Sequence, residues 1–160
     1  MVKINKIITI KLIFIISVVA LGSAFFIEHV LGHQPCNLCI LERVPYLLAI
    51  IIIVLNYKFV HLEKHFILIL ILIFLAATIL SLYHLSIEQG FIEESLVCDL
   101  KNSSNLLSKE DILEQLREKN VNCKDVTFKI FGLSLTSYNI IISLLVTYIT
   151  AKIYLSYDKN

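Results

Sequence analysis

Tryptophan is absent from this 160-residue chain, and only two prolines, four glycines and one methionine interrupt it. Charge is scarce too: 17% of the residues are Asp, Glu, Lys or Arg, against about a quarter in an ordinary soluble domain. The formal net charge of +1 lacks the basic excess that nucleic-acid binding needs, so no nucleic-acid partner is expected. Low charge and few helix breakers leave long stretches of Ile, Leu, Val and Phe. The hydrophobic share is 58% and the mean hydropathy +0.82, which excludes an ordinary soluble globule and points to helices in a lipid bilayer.

Uncharged runs cover 12–27, 44–57, 66–87 and 130–151. A membrane helix needs about 20 apolar residues, and the first two runs reach that length if Lys11 and Lys58 snorkel from their ends. The expectation is an all-α integral membrane protein: a single domain over 1–160, a four-transmembrane-helix bundle with spans at about 11–30, 43–60, 66–87 and 130–152, and a long loop at about 88–129 between helices 3 and 4. Open sheets are excluded because lipid cannot satisfy a free strand edge, and no alternation of a barrel is visible. Lys3, Lys6, Lys11, Lys58, Lys64, Lys152 and Lys159 all flank the ends that would face one side, so both termini are expected in the cytoplasm. The first span has a basic start and small residues Gly22, Ser23 and Ala24, as a signal peptide has. Its apolar run continues past them to Ile27, so it is expected to be retained. In the long loop, Ser108 and Asp111 have cap spacing, and Ile112, Leu113 and Leu116 share a face, so 108–119 reads as a short helix.

All four cysteines fall on the opposite, outer side. Cys36 and Cys39 form a C-x-x-C pair just before the second span; Cys98 and Cys123 lie in the long loop. Three readings of these sulfurs stay open. C-x-x-C spacing suits dithiol chemistry, since it permits a small-ring disulfide and a stabilised thiolate. Two static bridges are the second reading, and closing the long loop would contribute roughly 3–4 kcal/mol. A zinc site built from His29, His33, Cys36 and Cys39 is the third; Pro35 interrupts its geometry, and an oxidising compartment opposes reduced thiolates.

Two further residues belong to this outer boundary. Arg43 lies four residues after Cys39, one helical turn on. It either pairs with Glu28 and the headgroups, or it donates hydrogen bonds to a carbonyl oxygen of a membrane-soluble electron acceptor. Glu42 is expected to face away and help set the helix start. His84, near the outer end of the third span with Glu88 one turn on, is either an interfacial anchor or a proton donor.

The run from Phe26 to Arg43, with Cys36-Asn-Leu-Cys39 followed by Glu42-Arg43, resembles the signature of the disulfide-bond formation protein B (DsbB) family, bacterial thiol oxidases. The segments Tyr83–Gly90 leading to Cys98, and Cys123 followed by Phe131–Leu135 and Tyr138-Asn139, are similar to the family as well. The motif order separates the chain from the vitamin K epoxide reductase family, where the C-x-x-C follows the loop cysteines. The resemblance implies an inner-membrane protein with its cysteines and long loop on the periplasmic side. It implies that Cys98 and Cys123 form the bridge that oxidises a periplasmic thioredoxin-like partner, DsbA, and that Cys36 and Cys39 pass the electrons to a membrane quinone, ubiquinone or menaquinone. Arg43 and His84 fall at or near the family's quinone-contacting positions, and no metal is expected.

Overall fold

The computed structural model describes residues 6–92, 123, 129–130 and 132–157. In chain order they form α1 (Lys6–His29), α2 (Asn37–Leu41), α3 (Val44–Lys58), a 3-10 turn (Val60–Leu62), α4 (Glu63–Glu88), the short strands β1 (Lys129–Ile130) and β2 (Leu133–Ser134), and α5 (Leu135–Tyr157). Among the described residues, four stretches are long and apolar enough to cross a membrane: Lys6–His29, Asn37–Lys58, Glu63–Glu88 and Leu135–Ser156. The expected helix at 108–119, most of the long loop and Cys98 lie outside the described residues.

The second span is built in two pieces, and Pro45 supplies the reason. Proline has no backbone N–H to donate to the carbonyl four residues earlier, and that carbonyl belongs to Leu41, the last residue of α2. Glu42 N–H still donates to Leu38 O at 2.9 Å, Arg43 N–H turns to Ile40 O at 3.1 Å, and the ladder resumes with Leu47 N–H donating to Arg43 O at 3.2 Å. Proline is tolerated in the first turn of α3, where its missing donor would have no helical partner anyway.

The last helix starts at Leu135, a few residues inside the apolar run that begins at 130. Ahead of it, β1 and β2 form an antiparallel hairpin that pairs Lys129 with Ser134 and Ile130 with Leu133. At the outer end of α4, Gly90 adopts φ +76°. Phe91 N–H then donates to Ser86 O at 2.9 Å and Gly90 N–H to Ile87 O at 3.0 Å, which closes the helix directly after Glu88.

The helices alternate in direction. Lys6 at the start of α1 donates to Glu63 at the start of α4 at 2.7 Å, and Lys64 lies over the ring of Tyr154 near the end of α5. α4 packs most extensively on α5, and α3 packs on both α1 and α4. Ile10 and Ile13 of α1, Tyr46, Ala49 and Ile53 of α3, Leu70 and Phe74 of α4 and Val146 of α5 meet in one buried cluster. Large apolar side chains such as Val19, Ile79 and Leu155 face outward, while Ser17, Ala77, Ser81 and Ser143 lie inside. This distribution suits lipid, where small residues let helices approach and outward Leu and Ile match the acyl chains. Three buried hydroxyls bond within their own helices: Ser17 donates to Ile13 O, Thr78 to Phe74 O and Thr150 to Val146 O.

Candidate functional site

Helix ends converge opposite the Lys6–Glu63 end, and the chemistry-bearing side chains collect there. Cys36, the N-cap of α2, forms a disulfide with Cys39. Its Sγ also accepts a hydrogen bond from Cys39 N–H at 3.1 Å. The two sulfurs differ in access: Cys36 is 4% exposed, whereas Cys39 is half-buried. A buried cluster joins Cys36 to Leu38, Ile87 and Cys123, with Cys39, Leu80 and Tyr83 packed against it. Cys123 is itself disulfide-bonded. Cys123 thus shares one apolar cluster with the first pair.

His84 lies beneath the disulfide and is 1% exposed. α4 carries the ring into the bundle, between the Cys36–Glu42 segment and Thr136 of α5. Nε2 sits 3.6 Å from Cys36 Sγ, and Nδ1 lies 2.9 Å from Glu42 Oε1. Thr136 Oγ1 is 3.3 Å from the same Nδ1, but its proton goes to Glu88 Oε1 at 2.6 Å. Nδ1 therefore faces two acceptors and carries the hydrogen, which leaves Nε2 facing the sulfur.

Glu42 corrects the sequence reading. Expected to face away, it is 8% exposed and holds His84. Its backbone is still αR, with its N–H on Leu38 O at 2.9 Å, and the side chain points to His84 and Asn139. Its second oxygen, Oε2, accepts from Asn139 Nδ2 at 3.1 Å. Asn139 also donates to Ser81 Oγ at 2.8 Å and accepts from the Tyr46 hydroxyl. A buried carboxylate is tolerable only when its oxygens are bonded in this way.

Arg43, on the other side of the break, is a half-buried cation whose Nη1 donates to Glu28 Oε2 at 2.5 Å. Its guanidinium also lies 5.4 Å from the centre of the Phe25 ring. The Glu28 pairing expected as one reading is present. It engages one arm of a group with five N–H donors, so it does not exclude the other.

The histidine that meets the cysteines is not one of the two anticipated for zinc. Nδ1 of His29 lies 3.1 Å from the Phe25 carbonyl on its own helix, whereas ligand atoms of Cys36, Cys39 and His84 lie within 4.8 Å of one another. With the two sulfurs joined to each other, this group offers no thiolate to an ion.

Sequence reasoning placed Cys36, Cys39 and His84 on one side of the membrane, and the structure brings all three together. It missed Glu42, Thr136 and Asn139. The available signal was polarity inside an otherwise apolar span, where Asn and Thr near a helix start need partners.

A transmembrane bundle whose one end buries a C-x-x-C disulfide against a histidine defines a membrane thiol–disulfide protein. The family description "Disulfide bond formation protein DsbB" matches residues 7–153, and the chain belongs to that family. It is accordingly an integral protein of the bacterial inner membrane with disulfide oxidoreductase character. The chain is 30% identical over 131 residues, 81% of its length, to "Uncharacterized protein RP370" of Rickettsia prowazekii (strain Madrid E), and the match spans 76% of that protein. No solved structure matches.

Proposed function

We propose that this protein reoxidises a periplasmic DsbA-like dithiol oxidase and passes the electrons through its two cysteine pairs to a membrane quinone. The supporting observation is that Cys36 and Cys123 belong to one buried cluster, because disulfide exchange between two pairs requires their sulfurs to meet. In this reading Cys98 and Cys123 form the outer bridge. A thiolate of the partner attacks Cys98, giving a mixed disulfide and releasing Cys123 as thiolate. The partner's second thiol displaces Cys98, so the partner leaves oxidised and Cys98 and Cys123 are left as a dithiol. Exchange with the Cys36–Cys39 bridge restores the outer disulfide and moves the dithiol inward.

A quinone supplies a lipid-soluble acceptor of two electrons and two protons. The residues fit such a group: Cys39 is the more accessible sulfur of its pair, and Arg43 stands at the same span end with donors left over from Glu28. Arg43 orients an acceptor carbonyl and stabilises negative charge on it. The tight packing around Cys36 excludes water from the sulfur beside His84. No phosphate-binding loop is present to hold a flavin or nicotinamide.

The test is turnover by purified protein in detergent with a reduced thioredoxin-like dithiol and a soluble quinone. Steady oxidation of the dithiol with matching quinone consumption is expected, and Cys36→Ser or Cys39→Ser abolishes it while the helical signal persists. Full quinone-dependent turnover by both serine variants would overturn the reading, as would four titratable thiols in the isolated protein.

A further inference from the structure

The carboxylate beneath His84 has no part in the exchange chemistry, yet the fold spends an asparagine and a tyrosine on holding it there. Glu42 Oε1 meets His84 Nδ1 at 2.9 Å, and His84 Nε2 faces Cys36 Sγ at 3.6 Å on the opposite edge of the ring. Carboxylate, imidazole and sulfur thus lie in sequence, the order in which a base is oriented for a thiol nucleophile.

We infer that Glu42, His84 and Cys36 form a proton relay in which His84 Nε2 takes the proton of the Cys36 thiol and Glu42 is the positioning residue that fixes the ring. This deepens the proposed function and rests on it for the identity of the electron acceptor. When the Cys36–Cys39 bond closes, two electrons leave the dithiol through Cys39 to the quinone. The Cys36 proton passes to His84 Nε2, the Cys39 proton leaves with its own sulfur's oxidation, and both protons end on the two quinol oxygens.

Burial decides which sulfur the base serves. Cys36 is enclosed, so water has poor access to its proton, whereas half-buried Cys39 has another route. The groups that face the imidazole are Glu42 from the α2–α3 junction, Glu88 from α4 at 3.8 Å from Nε2, and neutral Thr136 from α5. Glu42 is the one placed to hold the Nδ1 hydrogen. Asn139 fixes its other oxygen, so it cannot swing away without breaking a second bond. Glu88 reaches Nε2 only at 3.8 Å, and Thr136 takes up its nearer oxygen. An imidazolium formed at Nε2 faces the carboxylate across the ring, so the proton taken from the sulfur is held beside an opposite charge.

The test needs no quinone. In a variant with Cys39, Cys98 and Cys123 replaced by serine, Cys36 is the sole thiol, and its ionisation is followed by thiolate absorbance near 240 nm as pH is raised in detergent. Adding His84→Gln is expected to weaken Cys36 ionisation about tenfold, moving the midpoint up by about one pH unit. Adding Glu42→Gln, which keeps an acceptor and a donor of the same shape, is expected to move it in the same direction by a smaller amount. Helical circular dichroism on each variant confirms the fold. Unchanged midpoints in both folded variants would overturn the relay, even if the wild-type protein reduces quinone. Shifted midpoints support it, even if quinone turnover fails and the acceptor has to be reassigned.

Discussion

Arg43 is held as a boundary cation by Glu28, and that pairing is compatible with the proposed contact to quinone. An arginine near the apolar region is costly unless paired, and Glu28 with the Phe25 ring meets that cost. The same pairing fixes the orientation of a planar group, so the free N–H donors point from a fixed position. Arg43→Ala is therefore expected to raise the apparent KM for quinone strongly while leaving exchange with the dithiol partner nearly intact. Loss of one charge-assisted hydrogen bond costs about 1.5–3 kcal/mol, roughly 10- to 150-fold in binding. Arg43→Lys recovers only part, because an ammonium lacks the planar fork. Quinone titration at saturating dithiol checks this. An unchanged KM and kcat would leave Arg43 as an anchor held by Glu28, and the acceptor site would lie elsewhere.

Between elements, Asn139 binds the bundle together at the functional end. It sits in the first turns of α5 and touches Glu42 at the α2–α3 junction, Ser81 of α4 and Tyr46 of α3. Interhelical hydrogen bonds in membranes average only about 0.6 kcal/mol each, so three of them suggest a loss of roughly 2 kcal/mol for Asn139→Ala. Unfolding in mixed micelles measures it; a loss below about 0.5 kcal/mol would show that the network is replaceable by repacking. The spans themselves were legible because lipid imposes a simple length and apolarity rule on each run. The inward place of Glu42 was not, because its partners His84 and Asn139 lie on other helices, 42 and 97 positions away. His84 shows the other limit. Its neighbour Glu88 is readable from spacing along α4, but Glu42, Thr136 and Cys36 reach it across 42, 52 and 48 positions of sequence. Only tertiary packing reveals such partners.

Across the whole molecule, the two ends of the bundle carry opposite chemistry. Lys6, Lys58, Lys64 and Lys152 lie where α1 and α4 begin and α3 and α5 end, and the disulfide, His84 and Cys123 lie at the other. Lysine retention on the cytoplasmic face sets orientation during insertion, so the cysteine end is expected in the periplasm, the compartment where disulfides persist. The opposite orientation would put the C-x-x-C among cytoplasmic reductants and leave the proposed partner out of reach. The prediction is checked with a membrane-impermeant maleimide on spheroplasts, using a cysteine introduced one residue into α4 by Lys64→Cys, and reduced Cys123 as the outer probe. Cys123 is buried in the folded chain, so it is labelled after mild denaturation, while the introduced thiol reacts only after the membrane is opened. Labelling of the residue-64 thiol in intact spheroplasts would invert the topology. The quinone and the dithiol partner would then have to be sought on the other side of the membrane.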